Sequence, residues 1–373
     1  MNVVINALSA RLGGGQTYIK NLLRYPELFK GEALYILAPD SLKIPEHQRI
    51  KRVPIAFPTT NPLARAVWEK LMLPVLLKKL SAKVLFCPGG LINCTPPVGC
   101  KTVTMFRNML PFDPVQKVKY PPGLMKMKLA LLEKGFLRSM QSADLVIFIS
   151  EFAKKLILER VAGHLKNAVT IPHGLSEQFR TAEKQTVPRP PGLPLRDYLL
   201  YVSIFHVYKN QLEVVRAFHL LRQKRRTPEM LVLAGHNQSE YGRRVRAEIK
   251  KLGLENDVIL IGHVDYDQLP GLYHHAYLNI FASECENCPN SLLEAMGAGS
   301  PLVVSRVPPM PEFGQEAPIY FDPVSPADLA ATLCTVLDDP ELLNAMAERS
   351  RDRAAEFSWE ETIRQTWAAI TKL

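Results

Sequence analysis

The sequence predicts an α/β protein with two domains, each built around a parallel β-sheet that is covered by helices on both faces. Short apolar runs alternate with amphipathic helical segments along the whole chain, which is typical of parallel sheets. A proline-rich stretch, 186–197, suits neither a helix nor a central strand. With 373 residues, 47% of them hydrophobic and 22% charged, the chain is long enough for two cores and has a soluble globular composition.

The predicted domains are residues 1–186 and 187–357, and a final helix, 358–373, is expected to pack back on the first domain. Trp359, Ile363, Trp367 and Ile370 recur at helical spacing in that helix. No apolar run reaches the ~18–20 residues that a membrane span needs. The first ten residues lack a basic head and favour a first strand over a signal peptide, so we expect a cytoplasmic protein.

The first half is predicted to contain seven strands and four helices. Residues 2–7 form a strand that leads into three glycines and a helix from about Gln16. Glycines between a strand and a helix allow close approach of a ligand, and Gly14 and Gly15 are the candidates. The other strands are placed at 34–38, 53–57, 84–87, 101–106, 145–149 and 169–171, and the helices at 63–80, 124–140 and from Glu151.

Positive charge is concentrated in the first half. Residues 1–190 contain 28 Lys and Arg against 12 Asp and Glu, whereas residues 191–373 contain 18 against 24. The helices predicted at 63–80 and 124–140 combine many lysines with a broad apolar stripe. Such a helix lies on an anionic membrane surface or packs its stripe in a core, and each helix alone leaves both open. The regional excess indicates an anionic partner, for which nucleic acid, a membrane surface and a phosphorylated substrate all qualify.

The second half centres on a strand-loop-helix-strand unit between Ala276 and Val304. A strand at 276–281, a polar loop, a helix from about Asn290, a stop at Gly297 and Gly299, and a strand from Pro301 are expected. The backbone amides of Asn290, Ser291 and Leu292 would be unpaired at the helix N-terminus. With the amide of Leu293 they would form a binding site for an anion at the positive end of the helix dipole. Further strands are predicted at 198–203, 230–234 and 258–262. Helices are predicted from near Lys209 to about Arg222 and at 239–252, 326–337 and 340–354.

Two glutamates flank this anion site: Glu286 precedes the helix and Glu294 lies eight residues later. Carboxylates accept hydrogen bonds from neutral hydroxyl groups, which sugars supply. The Glu286-x7-Glu294 spacing, followed by Ala-Met-Gly-Ala-Gly-Ser-Pro-Leu-Val-Val, resembles the signature of retaining nucleotide-sugar glycosyltransferases of family 4. This resemblance covers residues 198–304 strongly and the rest loosely.

The resemblance implies the GT-B fold, in which two Rossmann-like domains face a central cleft. It implies that a nucleotide-sugar donor binds the second domain, with Lys209 and the amides of residues 291–293 on the diphosphate. Glu294 would then hold the ribose and Glu286 the sugar, while Gly262 and Val264 lie beside the base. Lys209 and Glu286 are the catalytic candidates, and no protein nucleophile is expected.

The sequence departs from the family pattern at two positions. The usual His-Asp pair is replaced by Arg107 and Asn108, which we assign to the acceptor region, where a salt bridge of Arg107 is an equal alternative. The usual Arg before Lys209 is replaced by Ser203 or Ile204, and either His206 or an arginine of the first domain is expected to compensate. His173, in a turn with Gly174, is placed in the acceptor region too, although a turn role is favoured over catalysis.

No cofactor or metal is expected. Cys285-x2-Cys288 near His274 and His275 is a weak zinc pattern, and Asp265-x-Asp267 is a weak divalent-metal pattern whose carboxylates we expect to cap the next helix instead. The expected partners are the donor, a glycan or lipid-linked acceptor and an anionic membrane surface. A nucleotide-sugar epimerase or a basic nucleic-acid-binding protein is the alternative, but no stacking platform supports nucleic acid.

Overall fold

The computed structural model describes residues 1–11, 13–55, 57, 60–180, 187–226 and 228–373. The described strands are all parallel to their neighbours. They are β1 (Asn2–Asn6), β2 (Ala33–Leu37), β3 (Ile50–Arg52), β4 (Val84–Cys87), β5 (Lys101–Phe106), β6 (Leu145–Phe148), β7 (Ala168–Thr170), β8 (Tyr198–Val202), β9 (Met230–Ala234), β10 (Val258–Gly262), β11 (Leu278–Phe281), β12 (Leu302–Ser305) and β13 (Ile319–Phe321).

The α-helices cover the faces of the sheets and follow most strands in the described chain. They are α1 (Gly14–Arg24), α2 (Pro62–Leu71), α3 (Leu73–Lys79), α4 (Pro114–Val118), α5 (Leu124–Ser142), α6 (Glu151–Arg160), α7 (Gln211–Lys224), α8 (Glu240–Lys251), α9 (Leu269–His275), α10 (Asn290–Gly297), α11 (Met310–Gly314), α12 (Pro326–Leu337), α13 (Pro340–Ala355) and α14 (Trp359–Thr371). No helix in the described part of the chain combines the length and apolar content needed to cross a membrane.

The described residues form two compact units. The first comprises Met1–Gly174 with Trp359–Leu373, and the second comprises Leu175–Ser358. The predicted boundary between residues 186 and 187 touches a stretch, 181–186, that lies outside the described residues. The predicted fold class of two parallel-sheet α/β domains is confirmed.

The first unit contains a seven-stranded sheet in the order β3-β2-β1-β4-β5-β6-β7. Its strand order reverses between β1 and β4, so the loops after these two strands lie together at one edge of the sheet. Helix α14 packs within this unit: the rings of Phe29 and Trp367 lie 4.9 Å apart, and the hydroxyls of Tyr18 and Thr366 are hydrogen-bonded at 3.3 Å.

The second unit contains a six-stranded sheet in the order β10-β9-β8-β11-β12-β13. Its strand order reverses between β8 and β11, which are hydrogen-bonded neighbours. In open parallel sheets, ligands bind outside the carboxyl ends of the strands at such a reversal. The loops that follow β8 and β11 therefore define the place to look for a site in this unit.

Two local predictions are wrong. The strand predicted at 53–57 lies at Ile50–Arg52, because Pro54 has no N–H to donate to a ladder and ends the pairing. The long helix predicted at 63–80 is two helices, since Pro74 cannot donate the bond that would continue the first one.

Candidate functional site

Two loops of the second unit are joined at the strand reversal. The loop after β8 carries Asn210, whose side-chain amide donates to the carbonyl of Ala282 in the loop after β11 at 3.0 Å. The amide of Glu284 donates to the carbonyl of Tyr208 at 2.8 Å. Asn210 has a left-handed backbone conformation (φ 56°) and separates a short 3-10 turn, Val207–Lys209, from α7. These bonds bring the two predicted catalytic residues to the same edge of the sheet.

The structure pairs Lys209 with Glu286, which are 77 residues apart in sequence. The Lys209 ammonium donates to a carboxylate oxygen of Glu286, and both side chains are largely buried. The same ammonium lies 5.3 Å from the centre of the Tyr208 ring and 5.9 Å from that of Phe281. Two aromatic rings and one carboxylate therefore fix the position of the Lys209 ammonium.

Glu294 is buried in the second turn of α10 and is 8% exposed. The Tyr273 hydroxyl donates to its Oε2 at 3.2 Å, and the Tyr266 hydroxyl also bonds to the carboxyl group. Burial raises the pKa of Glu294 to about 8, although both tyrosine hydrogen bonds oppose that shift. A carboxyl group with this pKa is protonated at neutral pH and is able to donate as well as accept.

The N-terminus of α10 is more fully hydrogen-bonded than predicted. The amide of Asn290 donates to the carbonyl of Cys288 at 3.0 Å, and those of Leu292 and Leu293 donate to the carbonyl of Pro289 at 2.9 and 3.1 Å. The prediction that the amides of Asn290 and Leu292 are unpaired is therefore wrong, because the loop before the helix turns tightly enough to supply carbonyls.

Ser291 differs from its neighbours at this helix end. Its amide has no hydrogen-bond acceptor among the described residues. Its hydroxyl bonds to the Tyr273 hydroxyl, which in turn donates to Glu294. The helix has no side-chain cap, so the positive end of its dipole is not neutralised by a capping residue. One amide of the predicted anion site therefore remains available.

The residues predicted beside the base follow β10. Gly262 has a left-handed φ of +73°, which strains any other residue, and its carbonyl accepts from the amide of Gly235 at 2.7 Å. Val264 is half-buried against the core of this unit. Asp265 and Asp267 do not cap α9: the helix has Gln268 at its N-cap without a side-chain bond, and Asp265 is exposed beside His263 at 3.6 Å.

His206 does not supply the positive charge that the family pattern has near Ser203 or Ile204. Burial, followed by the nearby Lys209, lowers the pKa of His206, so its ring is neutral at pH 7. The ring packs against Tyr208 with the centroids 4.4 Å apart. Lys209 is thus the cation that this loop offers to an anionic ligand.

The acceptor-region candidates Arg107, Asn108 and His173 lie in the first unit, as do Gly14 and Gly15, which are predicted to contact the donor. Gly14 and Gly15 form the first turn of α1, and the guanidinium of Arg107 lies next to Gly15 and over the Tyr18 ring, 5.7 Å from its centre. Asn108 is exposed. His173 is buried at 3% exposure, with its ring 5.2 Å from that of Trp359 and 5.7 Å from that of Tyr18, so the ring packs among aromatic side chains. Its predicted roles, a turn with Gly174 or acceptor contact, stay predictions.

Neither weak metal pattern is supported by clustering. Across the described ranges, no three His, Cys, Asp or Glu side chains converge as a metal site would require. None of the six cysteines, all of which lie in the described ranges, forms a disulfide.

Sequence reasoning missed the tyrosines and one pairing. Tyr266 and Tyr273 surround Glu294, and Tyr208 with Phe281 surrounds Lys209, but isolated aromatic residues carry no pattern that marks them. The Lys209–Glu286 pair did have a signal. Both residues follow strands that a doubly wound sheet places side by side at its reversal.

Comparison with known proteins gives a family match over this part of the chain. Residues 185–353 match the family model described as "Glycosyl transferases group 1". O-antigen chain mannosyltransferase B of Escherichia coli is 27% identical over 245 residues, which is 65% of this chain and 64% of that protein. A serotype-specific mannosyltransferase WbdA of the same organism is 24% identical over 243 residues, 64% of this chain and 30% of that protein. The chain therefore aligns with less than two thirds of the length of each.

Solved structures match over the whole chain. Sucrose-phosphate synthase from Thermosynechococcus elongatus superimposes with a TM-score of 0.78 at 17% identity, over 100% of this chain and 98% of that one. Anabaena HepE in complex with UDP and glucose superimposes with a TM-score of 0.72 at 16% identity, over 100% of both chains. The fold is therefore that of the GT-B glycosyltransferases.

Proposed function

We propose that this chain is a retaining glycosyltransferase of family 4, which transfers a sugar from a nucleotide-sugar donor to a glycan acceptor without a metal ion. The observation that carries the proposal is the Lys209–Glu286 pair at the strand reversal of the second unit, within the segment that matches the glycosyltransferase family model. Few other arrangements place one cation, one carboxylate and a helix N-terminus at the edge where parallel sheets bind ligands.

Each group has a role that its surroundings support. Lys209 and the amide of Ser291 would bind the donor diphosphate, the cation as a point charge and the amide as a fixed dipole. Glu286 would release Lys209 and accept hydrogen bonds from sugar hydroxyls. Glu294, kept in place by Tyr273 and Tyr266, would bind the ribose hydroxyls, and its raised pKa lets it do so as a neutral group.

The transfer would exchange one bond at the anomeric carbon for another. The bond from that carbon to the diphosphate oxygen breaks as a bond to the acceptor hydroxyl oxygen forms on the same face. The acceptor proton passes to the departing diphosphate. Negative charge grows on the diphosphate during this step, and Lys209 with the Ser291 amide would stabilise it more strongly in the transition state than in the ground state.

The relatives suggest where to look for the substrates. One relative is named an O-antigen chain mannosyltransferase and another a serotype-specific mannosyltransferase, and HepE was crystallised in complex with UDP and glucose. A hexose on UDP or GDP is therefore the first donor to test, with a glycan acceptor that is lipid-linked or part of the cell envelope. We propose that the enzyme works in the cytoplasm, peripherally bound to the membrane.

The test is a screen of UDP and GDP hexoses by thermal shift, followed by NMR of the reaction with glycan acceptors. We expect one donor to raise the melting temperature, nucleoside diphosphate to be released only with acceptor, and the product to keep the donor's anomeric configuration in the presence of chelator. Inversion of the anomer, or a requirement for manganese, would contradict the mechanism. Conversion of the donor sugar without any acceptor would instead identify an epimerase.

A further inference from the structure

One outward face of the first unit combines exposed apolar side chains with positive charge. Helix α2 and the following helix α3 expose a row of aliphatic side chains four residues apart, while Leu73 and Leu77 on the opposite side are buried. The exposed row is Leu63 (79% exposed), Val67 (54%), Leu71 (62%) and Val75 (61%). A helix that only packed on the sheet would turn these side chains inward.

Helix α5 repeats the pattern. Leu124, Met127 and Leu131 are 81%, 56% and 63% exposed and share one side of the helix at spacings of three and four residues. Two valines of the short helix α4, Val115 and Val118, are also exposed at 60% and 76%. We call these exposed aliphatic residues of α2 to α5 the apolar surface.

The helices that carry the apolar surface lie on the same face of the sheet. The connection from β3 to β4 and that from β5 to β6 both run toward β7 in the sheet order, and right-handed crossovers in the same direction place their helices on one face. The loop after β4 joins them. The side-chain amide of Asn93 donates to Glu69 of α2, and the amide of Ile92 donates to the Ser139 hydroxyl of α5 at 2.9 Å.

The charge of this region is almost entirely positive. Residues 62–142 contain 13 Lys and Arg against three Asp and Glu, a net charge of +10 that equals that of the whole chain. Of the three acids, Glu69 is buried, Asp113 caps α4 and Glu133 is paired with Lys117 and Arg160. Seven basic side chains are exposed and have no ion-pair partner among the described residues: Lys70, Lys78, Lys79, Lys83, Lys128, Lys134 and Arg138.

We propose that the apolar surface, with its surrounding lysines, docks on an anionic membrane, so that the aliphatic side chains enter the headgroup boundary and the lysines contact lipid phosphates. Aliphatic residues beside lysines suit lipid, since the exposed residues of α2 to α5 include no aromatic ring on which bases could stack and one arginine, Arg138. The proposal rests on the proposed function only for its biological purpose, namely access to a lipid-linked acceptor.

The experiment is sedimentation of the full chain with vesicles of phosphatidylcholine alone or with about 30 mol% phosphatidylglycerol. We expect binding to the anionic vesicles only, weakened by salt because lysine contacts are screened. The variant Lys70→Glu/Lys78→Glu/Lys79→Glu is expected to lower the affinity at least about a hundredfold, from the typical contribution of each lysine near a charged surface. The matched control is Arg243→Glu/Lys250→Glu/Lys251→Glu on α8, which changes the net charge by the same amount. This control is expected to lower the affinity for anionic vesicles less than about threefold.

The aliphatic contribution has its own pair of variants. Leu71→Ser/Val75→Ser is expected to weaken vesicle binding about tenfold, whereas Val324→Ser, an exposed valine of the second unit, should have no effect. All of these positions are exposed, so the variants are expected to keep the melting temperature of the wild type.

Several outcomes would overturn the proposal. Wild type that stays in the supernatant with both vesicles, or a control triple that loses binding as the α2–α3 triple does, would each contradict it. A wild-type dimer that Leu71→Ser/Val75→Ser converts to monomer, without vesicle binding, would assign the surface to a second copy. Binding of random oligonucleotides in place of vesicles would assign it to nucleic acid. If the wild type binds anionic vesicles but transfers no sugar to a soluble acceptor, only the proposed function is refuted.

Discussion

Helices α2 and α10 each bury one glutamate, but with different neighbours. Glu69 of α2, 4% exposed, accepts from the side-chain amides of Asn6 (2.8 Å) and Asn93 and lies 3.8 Å from the Arg65 guanidinium. Glu294 of α10, 8% exposed, has only tyrosine hydroxyls as hydrogen-bond donors in the described structure, and its pKa rises to about 8. A buried carboxylate with a cation and two amides is a structural element, whereas one with hydroxyls alone is suited to bind a neutral ligand.

The largest expected effect is the loss of stability when the buried carboxylate of Glu69 is removed. Glu69→Ala leaves the Arg65 guanidinium and two amide groups without their acceptor, and burial already lowers the pKa of Arg65. We expect a loss of about 3–5 kcal/mol in the free energy of unfolding, as for other buried pairs that lose one partner. Urea denaturation measures it. Glu69→Gln, which keeps one acceptor oxygen, serves as the matched control, and an Ala variant within about 1 kcal/mol of wild type would contradict the structural role.

The next effect is on catalysis. Lys209→Ala removes the cation that would stabilise the diphosphate, and we expect the transfer rate to fall by about a hundredfold to a thousandfold. Initial rates with saturating donor and acceptor measure it. The control is Arg216→Ala, which breaks an exposed ion pair with Glu248 in the same unit and should leave the rate unchanged. A Lys209→Ala enzyme with wild-type rate would remove the site assignment.

The pKa of Glu294 predicts a pH dependence of stability. The folded state holds the Glu294 proton up to a pH of about 8, but the unfolded state releases it near 4.5, so the free energy of unfolding falls as the pH rises between these values. Between pH 5.5 and 8.5 the contribution is about 3 kcal/mol. We expect Glu294→Gln to lose this part of the pH dependence, which urea denaturation at both pH values would show. An unchanged slope would mean that Glu294 is ionised in the folded state.

The smallest effect is expected when one hydrogen bond to the Glu294 carboxyl group is removed. Tyr273→Phe removes a hydroxyl that stabilises the ionised form of Glu294, so the pKa of Glu294 should rise further. We expect a loss of about 1 kcal/mol in the free energy of unfolding at pH 8.5 and less at pH 5.5. A larger loss at the lower pH would contradict this order. The control is Tyr277→Phe, which removes a tyrosine hydroxyl just before β11 in the same unit.

Much of the fold was predictable because buried parallel strands are continuous apolar runs. The strands at Val84–Cys87, Lys101–Phe106 and Met230–Ala234 and the helix at Pro326–Leu337 agree with their predicted bounds. The strand predicted at 53–57 failed because its apolar residues include Pro54, which a pattern of hydrophobicity alone does not penalise.

The candidate site was predictable in its parts but not in its pairings. The sequence places Glu286 and Lys209 after strands, yet their ion pair depends on which strands are neighbours, and that requires the sheet order. The burial of Glu294 among tyrosines depends on packing between α9 and α10, which periodicity does not report. The amides of Asn290 and Leu292 found carbonyl partners through the conformation of a loop that has no sequence signature.

The position of α14 determines which of the two units is able to fold first during synthesis. The aromatic side chains of Tyr18 and Phe29 are translated early, but their partners Thr366 and Trp367 leave the ribosome more than 300 residues later. The second unit is contiguous in the chain and is able to fold as soon as it emerges, whereas the first stays incomplete until α14 arrives. Nascent chains stalled before Trp359 should therefore be more sensitive to protease within residues 1–30 than finished ones.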